Sequence, residues 1–180
     1  MNIISGKFGG RKLNIPKLTG TRPATLLVRG AIFNILDKLV KKTTVLDLYA
    51  GSGALGYEAL SRGAKSATFI DVADKAIDSI RENAKNLKVE DKVTVIKKDA
   101  VRFLKATKDQ FDIVFLDPPY ANFNEDLVGY TQNVIKAGGF LVISCSSKQL
   151  LSDTIGSLSK QLERVYGDTK IAYFQKITAK

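Results

Sequence analysis

Residues 44–71 read TVLDLYAGSGALGYEALSRGAKSATFID. An apolar run (44–48) opens the stretch and another, ATFID at 67–71, closes it. Between them lie a glycine-rich loop and a segment, 54–62, with helical apolar spacing. Strand, tight loop, helix and second strand in that order make a βαβ unit, which requires the two strands to be parallel. Downstream the pattern repeats. Strands are predicted at 92–96 (KVTVI), 112–116 (DIVFL) and 139–144 (GFLVIS), with helices near 73–87, 100–107 and 124–136. Such alternation implies right-handed crossovers and an α/β fold whose mostly parallel sheet is covered on both faces. Two last strands, 162–167 and 170–177, are joined through Gly167-Asp168, a hairpin signal that makes them antiparallel. Upstream, Leu27, Ala31, Ile32, Ile35, Leu36 and Leu39 predict a helix over about 26–40. Before it, residues 2–5 and 12–15 read as a small β-ribbon turning through Gly6, Gly9 and Gly10 and ended by Pro16 and Pro23. The expectation is a single domain over 1–180, a basic ribbon extension (1–24) on a core of 25–180.

Composition narrows the chemistry. With no histidine and a lone Cys145, Cys/His zinc sites and histidine-dependent nucleophilic catalysis are excluded, and no metal is expected. One cysteine, no apolar run near the roughly 20 residues that span a bilayer, and an opening without a signal-peptide core predict a cytoplasmic protein with no membrane partner. The formal charge is +10, and its placement is uneven: nine basic residues but only one acid, Asp37, precede Val45. A lysine-rich surface aids solubility. An N-terminal arm that grips phosphates is the reading favoured here, with Lys7, Arg11, Lys12 and Arg22 as its contacts.

The loop Tyr49-Ala50-Gly51-Ser52-Gly53-Ala54-Leu55-Gly56 satisfies G-x-G-x-x-G through Gly51, Gly53 and Gly56. Alone, that pattern suits a dinucleotide as well as other ligands. Asp47, four residues before the first glycine, shifts the balance. A carboxylate is unwelcome beside a pyrophosphate, but it suits the ammonium of S-adenosylmethionine. Asp71, ending the next strand, is placed to accept from ribose hydroxyls, and Asp99, beside Ala100, from an adenine amine; either acid could equally cap the helix that follows it.

Asp117-Pro118-Pro119-Tyr120 ends the apolar strand 112–116 at the carboxyl edge of the sheet, where open α/β folds hold ligands. An exocyclic NH2 needs two acceptors to fix its hydrogens and aim its lone pair. The Asp117 carboxylate and a carbonyl stiffened by Pro118 and Pro119 would supply them, with Tyr120 stacked on the base. Catalysis would then be mostly positioning.

These residues resemble a known family. DPPY at 117–120, residues 45–71, the opening ISGKFGGRKLNIP at 4–16, and TRP at 21–23 followed by IFN at 32–34 are similar to RsmD-type methyltransferases over nearly the whole chain. The resemblance implies a Rossmann-like class I methyltransferase fold: a mostly parallel seven-stranded sheet with an antiparallel C-terminal strand, behind an N-terminal ribbon. It also implies transfer from S-adenosylmethionine to the N2 amine of a guanine in 16S ribosomal RNA. The substrate would be the small subunit or its assembly intermediate, and the enzyme a monomer. Leu26, Leu27 and Gly30 replace polar or acidic residues usual in the family, and Ser144-Cys145-Ser146-Ser147 stands where an acid is common. Competing readings are an adenine-N6 DNA methyltransferase, a nicotinamide oxidoreductase, and a noncatalytic RNA-binding relative.

Overall fold

The β-branched runs of the sequence become neighbouring strands of one sheet: β1 (Thr44–Leu48), β2 (Ser66–Asp71), β3 (Val93–Lys97) and β4 (Phe111–Leu116). The structure is a computed structural model that describes residues 1–16, 25–120 and 123–177. Strands β5 (Ile135–Ser146), β6 (Thr154–Ile155), β7 (Leu158–Tyr166) and β8 (Thr169–Lys176) complete the order β3-β2-β1-β4-β5-β8-β7-β6. Pairing is parallel from β3 through β5, and β8 lies antiparallel between β5 and β7. The expected mostly parallel sheet is present, with eight strands instead of seven. The addition is the two-residue edge strand β6, too short to leave a periodic signal in the sequence. The 166–169 turn forms as expected, with Gly167 at φ 59°.

Helices α1 (Leu26–Leu36), α2 (Ala54–Ser61) and α3 (Asp74–Leu87) cover one face with the N-terminal segment, while α4 (Ala100–Ala106) and α5 (Glu125–Thr131) cover the other. Several boundaries differ from expectation, among them β7, which begins at Leu158 instead of residue 162. The helix predicted over 124–136 stops at Thr131, and β5 begins at Ile135 instead of residue 139. A bulge explains this: β4 pairs Phe111 with Ile135 but Ile113 with Phe140, and Gly138, at φ 73°, absorbs the extra chain. Helix α1 ends at Leu36, and its buried face is Val28, Arg29, Ile32, Phe33 and Leu36; Leu27 is 65% exposed and Leu39 44%. The face is set by Phe33, which packs on Phe115 of β4 at 5.7 Å between ring centroids.

The expected ribbon reduces to one antiparallel bridge, Asn2 with Lys12, plus backbone bonds such as Ile3 N–H to the Arg11 carbonyl (2.9 Å). Its apolar residues Ile3, Phe8 and Leu13 nevertheless enter the core. Gly6, at φ 84°, sits so close to the Ser61 backbone that a Cβ would overlap it. Arg22 and Pro23 lie outside the described residues. Among those described, no helix is long and apolar enough to cross a membrane.

Candidate active site

Strand order reverses where β1 meets β4, and the carboxyl ends of β1, β2 and β4 share that edge, the place where open α/β folds hold ligands. The register Leu48–Ile70 and Leu48–Leu116 brings Tyr49, Asp71 and Asp117 to the same edge.

Within the loop, each predicted residue has a definite place. Asp47 is almost wholly buried beneath the loop, and its Oδ2 accepts from the Gly56 amide at 2.9 Å in the first turn of α2. Burial pushes its carboxyl well above the ordinary range, only partly offset by the Gly56 amide, and the negative charges of Asp117 and Asp71 push it further. Tyr49 takes a left-handed backbone, φ 59°, a strained state for a residue with a Cβ. The Ala50 amide bonds to the Ile70 carbonyl (3.1 Å), and its own carbonyl accepts from Gly53 (2.7 Å), which closes the turn. Gly56 has no room for a side chain because the Phe69 ring fills that position. Gly51 differs: a Cβ there would meet nothing within 4 Å. The loop therefore packs tightly on its inner side and faces open space at its tip.

Asp71 clamps the loop from the next strand. Its Oδ2 accepts from the Gly51 amide and its Oδ1 from the Ala73 amide, both at 2.9 Å, so each oxygen keeps a lone pair for a ligand hydroxyl. Asp99 is the N-cap of α4, accepting from the Arg102 amide at 2.9 Å, which is the capping role the sequence left open. Ala100 is buried behind it. Asp99 also lies near enough to Tyr49 to help raise that phenol above its ordinary value, after burial, the larger cause.

Asp117 follows Leu116, whose register partner is Ile143, so its neighbour across the sheet is Ser144. Burial among strand ends raises the carboxyl to about 6, moderated by the neighbouring Ser144 hydroxyl. Pro118 is buried and Pro119 partly so. The Tyr120 ring is 44% exposed at the rim, its hydroxyl 2.5 Å from Thr169 Oγ1 on β8. The β5–β8 pairing therefore anchors the tetrapeptide from behind. Among the described residues, no group of three His, Cys, Asp or Glu side chains is placed to hold a metal ion.

Three supporting residues escaped the sequence reading. Ser144 stood out only as a departure from the family, and its contact with Asp117 needed the β4–β5 register to be seen. Glu58 is fully buried in α2 and accepts from the Ile4 (2.7 Å) and Ser5 (3.1 Å) amides and from Arg62 (2.8 Å). A lone acid on an apolar helix face was its available signal. Asn83 of α3 donates to the carbonyls of both Asn14 and Ser52 at 3.0 Å, binding the N-terminal segment to the glycine loop. Of the predicted basic contacts, Lys7, Arg11 and Lys12 are exposed along that segment, away from the strand ends.

A family profile described as "Conserved hypothetical protein 95" matches residues 1–175. The chain is 36% identical to the YlbH protein of Bacillus subtilis, over 98% of this chain and 99% of that one. It is 38% identical to ribosomal RNA small subunit methyltransferase D of Escherichia coli K12, over 78% of this chain and 69% of the relative. The solved structure of the yhhF protein of Escherichia coli superposes with a TM-score of 0.87 at 31% identity, covering 98% of each chain. Profile, sequence and fold agree along almost the whole length, and the chain belongs to the RsmD family of methyltransferases.

Proposed function

We propose that this chain is a cytoplasmic, S-adenosylmethionine-dependent methyltransferase that modifies the exocyclic N2 amine of a guanine in 16S ribosomal RNA. Its family membership and the relatives named as ribosomal RNA small subunit methyltransferases support the reaction class and the RNA. The proposed substrate is the small subunit or its assembly intermediate, met by a monomeric enzyme folded as one domain.

The residues present fit the cofactor. The open space above Gly51 accepts a ligand that approaches backbone. The free lone pairs of Asp71 suit ribose hydroxyls, and the buried Asp47 carboxyl, raised by burial, would be stabilised as a carboxylate by a ligand ammonium. Asp99 spends one oxygen on its cap and keeps the other for an adenine amine. When bound, S-adenosylmethionine supplies an electrophilic methyl on a sulfonium, so no covalent enzyme intermediate is needed.

What this chain adds is orientation. The Asp117 carboxylate and the Pro118 carbonyl take the two amine hydrogens, which turns the nitrogen lone pair toward the methyl carbon. As the nitrogen gains positive charge, the carboxylate is already in place to stabilise it. Tyr120 stacks on the base at the rim. The single observation that carries this reading is Asp117: a carboxyl at the strand edge, beside Ser144 of β5, raised by burial to about 6, with the following Tyr120 anchored to β8. Such a group has little structural reason to be there and a clear chemical one.

The test is transfer of labelled methyl to small ribosomal subunits lacking the modification, with naked 16S RNA and duplex DNA in parallel. Label recovered as N2-methylguanine from the subunits supports the proposal. N6-methyladenine in DNA would replace it with the adenine reading. No label alongside intact cofactor binding would make the chain a noncatalytic relative.

A further inference from the structure

The carboxyl edge of the sheet is rich in acids, which is a difficulty for an enzyme of RNA. Asp71, Asp99 and Asp117 stand at or beside the strand ends, and Asp168 adjoins them through its carbonyl bond to the Ser147 amide (2.9 Å). Carboxylates that suit an ammonium and an amine repel phosphates. Affinity for a polyanion has to come from elsewhere on the molecule.

At the opposite end of the sheet, the start of β1 and β2, the chain gathers unpaired cations. The Lys42 amide bonds to the Gly63 carbonyl (2.8 Å), and the Lys65 amide to the Thr43 carbonyl (2.7 Å). These bonds lay residues 41–43 against 63–65. The Lys41 side chain passes Gly63, with its Cγ 3.6 Å from where a Cβ would stand. The Lys7 amide bonds to the Ser61 carbonyl (2.7 Å), which brings the turn of the N-terminal segment to the same helix end. All four lysines are exposed, and among the described residues none is paired with a carboxylate. The local acids are occupied: Arg62 holds both Asp37 (3.2 Å) and Glu58 (2.8 Å). From this cluster the exposed Arg11 and Lys12 lead along the N-terminal segment to Asn14, which Asn83 ties to the glycine loop.

We infer that Lys7, Lys41, Lys42 and Lys65 form a second RNA-contact surface, at the base of the sheet, that takes the phosphate backbone of a folded RNA whose target base reaches the acidic edge. The inference rests on the ribosomal RNA reading above. The five residues of β1 alone put about 16 Å between the two ends, so one nucleotide cannot touch both. A structured RNA can, because it carries phosphates at several depths. The division of labour follows: chemistry at the acidic edge, affinity at the basic base.

The test compares two triple variants that lose equal charge. One is Lys41→Gln/Lys42→Gln/Lys65→Gln; the control is Lys85→Gln/Lys88→Gln/Lys92→Gln, three exposed lysines at the end of α3 and just after it. Binding to undermethylated small subunits is measured across a salt series, with calorimetric S-adenosylmethionine affinity as the check that each variant is folded. The basal triple is expected to flatten the salt dependence by about 0.9 per lysine, roughly 2 to 3 in total, while the control keeps the wild-type slope. Equal loss in both variants, or no change in the basal one, overturns the surface while wild-type labelling of the subunits leaves the methyl-transfer reading standing. A wild-type protein that neither binds nor labels the subunits overturns that reading and this inference with it.

Discussion

Asp117 is held in a state that costs the fold, and its proposed role in the reaction can be tested through that cost. In the unfolded chain an aspartate titrates near 3.9, whereas here the carboxyl is raised to about 6 by burial. Between those values the folded protein keeps a proton the unfolded chain has lost, so stability falls as pH rises through that window. Asp117→Asn removes the charge and keeps the shape. At pH 7 it should raise stability by about 1–3 kcal/mol in urea unfolding, at the scale of 1.36 kcal/mol per pH unit. The same change should slow methyl transfer roughly 10²-fold, the usual loss for one preorganised electrostatic contact. A midpoint that stays or falls would mean burial does not strain Asp117. Methyl transfer by the wild type should rise with pH through about 6 and then level. In Ser144→Ala, which removes the neighbouring hydroxyl that lowers the carboxyl, the rise should move to higher pH; an unmoved profile would remove Ser144 from the site. Asp47 gives a second test. Burial raises its carboxyl and a bound cation would lower it again, so over the pH range where Asp47 titrates S-adenosylmethionine affinity should increase with pH, with proton release on binding. Calorimetry in buffers of different ionisation enthalpy reads the released proton directly, and no release would leave Asp47 as a brace for Gly56 only.

Helix α2 joins the cofactor loop at its start to the N-terminal segment along its length, and Glu58 is the joint. Glu58→Ala would strip two partly buried amides of their acceptor and leave the Arg62 guanidinium with Asp37 alone. It would also deprive Arg29, whose Nε and Nη1 already lack partners among the described residues, of its nearby negative charge. The expected loss is about 3–5 kcal/mol, with fast hydrogen exchange at the Ile4 and Ser5 amides. Protection retained at those amides would show that apolar packing alone seats the segment. None of this was legible in the sequence, because partners 53 and 54 residues apart leave no periodic trace. The elements with local signals were legible: β1 matches its predicted bounds, and β2, β4, α2, α3 and α4 fall within a residue of theirs. Likewise, Asp47, Asp71 and Asp117 were marked by strand-end position, which topology alone brings to one edge. The elements misplaced were those set by tertiary pairing: the early start of β5 follows from its bulge against β4, that of β7 at Leu158 from its pairing with β8 across the shift between Lys160 and Leu162, and the buried face of α1 from Phe33 meeting Phe115.

Over the whole molecule, charge and burial divide the N-terminal segment into two jobs that truncation cannot separate. Its Lys7, Arg11 and Lys12 are exposed and proposed to meet phosphates, while Ile3, Phe8 and Leu13 are buried at 1%, 7% and 1% exposure. Burying each such side chain is worth about 1.5–3 kcal/mol, so the three together supply roughly 5–9 kcal/mol. A domain of this size has a net stability of only about 5–15 kcal/mol. Deleting residues 1–16 should therefore yield a chain that melts far below the full protein or fails to fold. Lost RNA binding by that fragment would say nothing about phosphates. Arg11→Gln/Lys12→Gln keeps the apolar residues and removes only charge. That variant should melt within about 2 °C of wild type, since exposed substitutions usually stay within ±0.5 kcal/mol, yet bind small subunits with a salt slope lower by about 2. If its melting point falls as the truncation's does, the two cations are structural. If both melting point and slope are unchanged, the segment serves the fold alone, and the polyanion is held by lysines elsewhere.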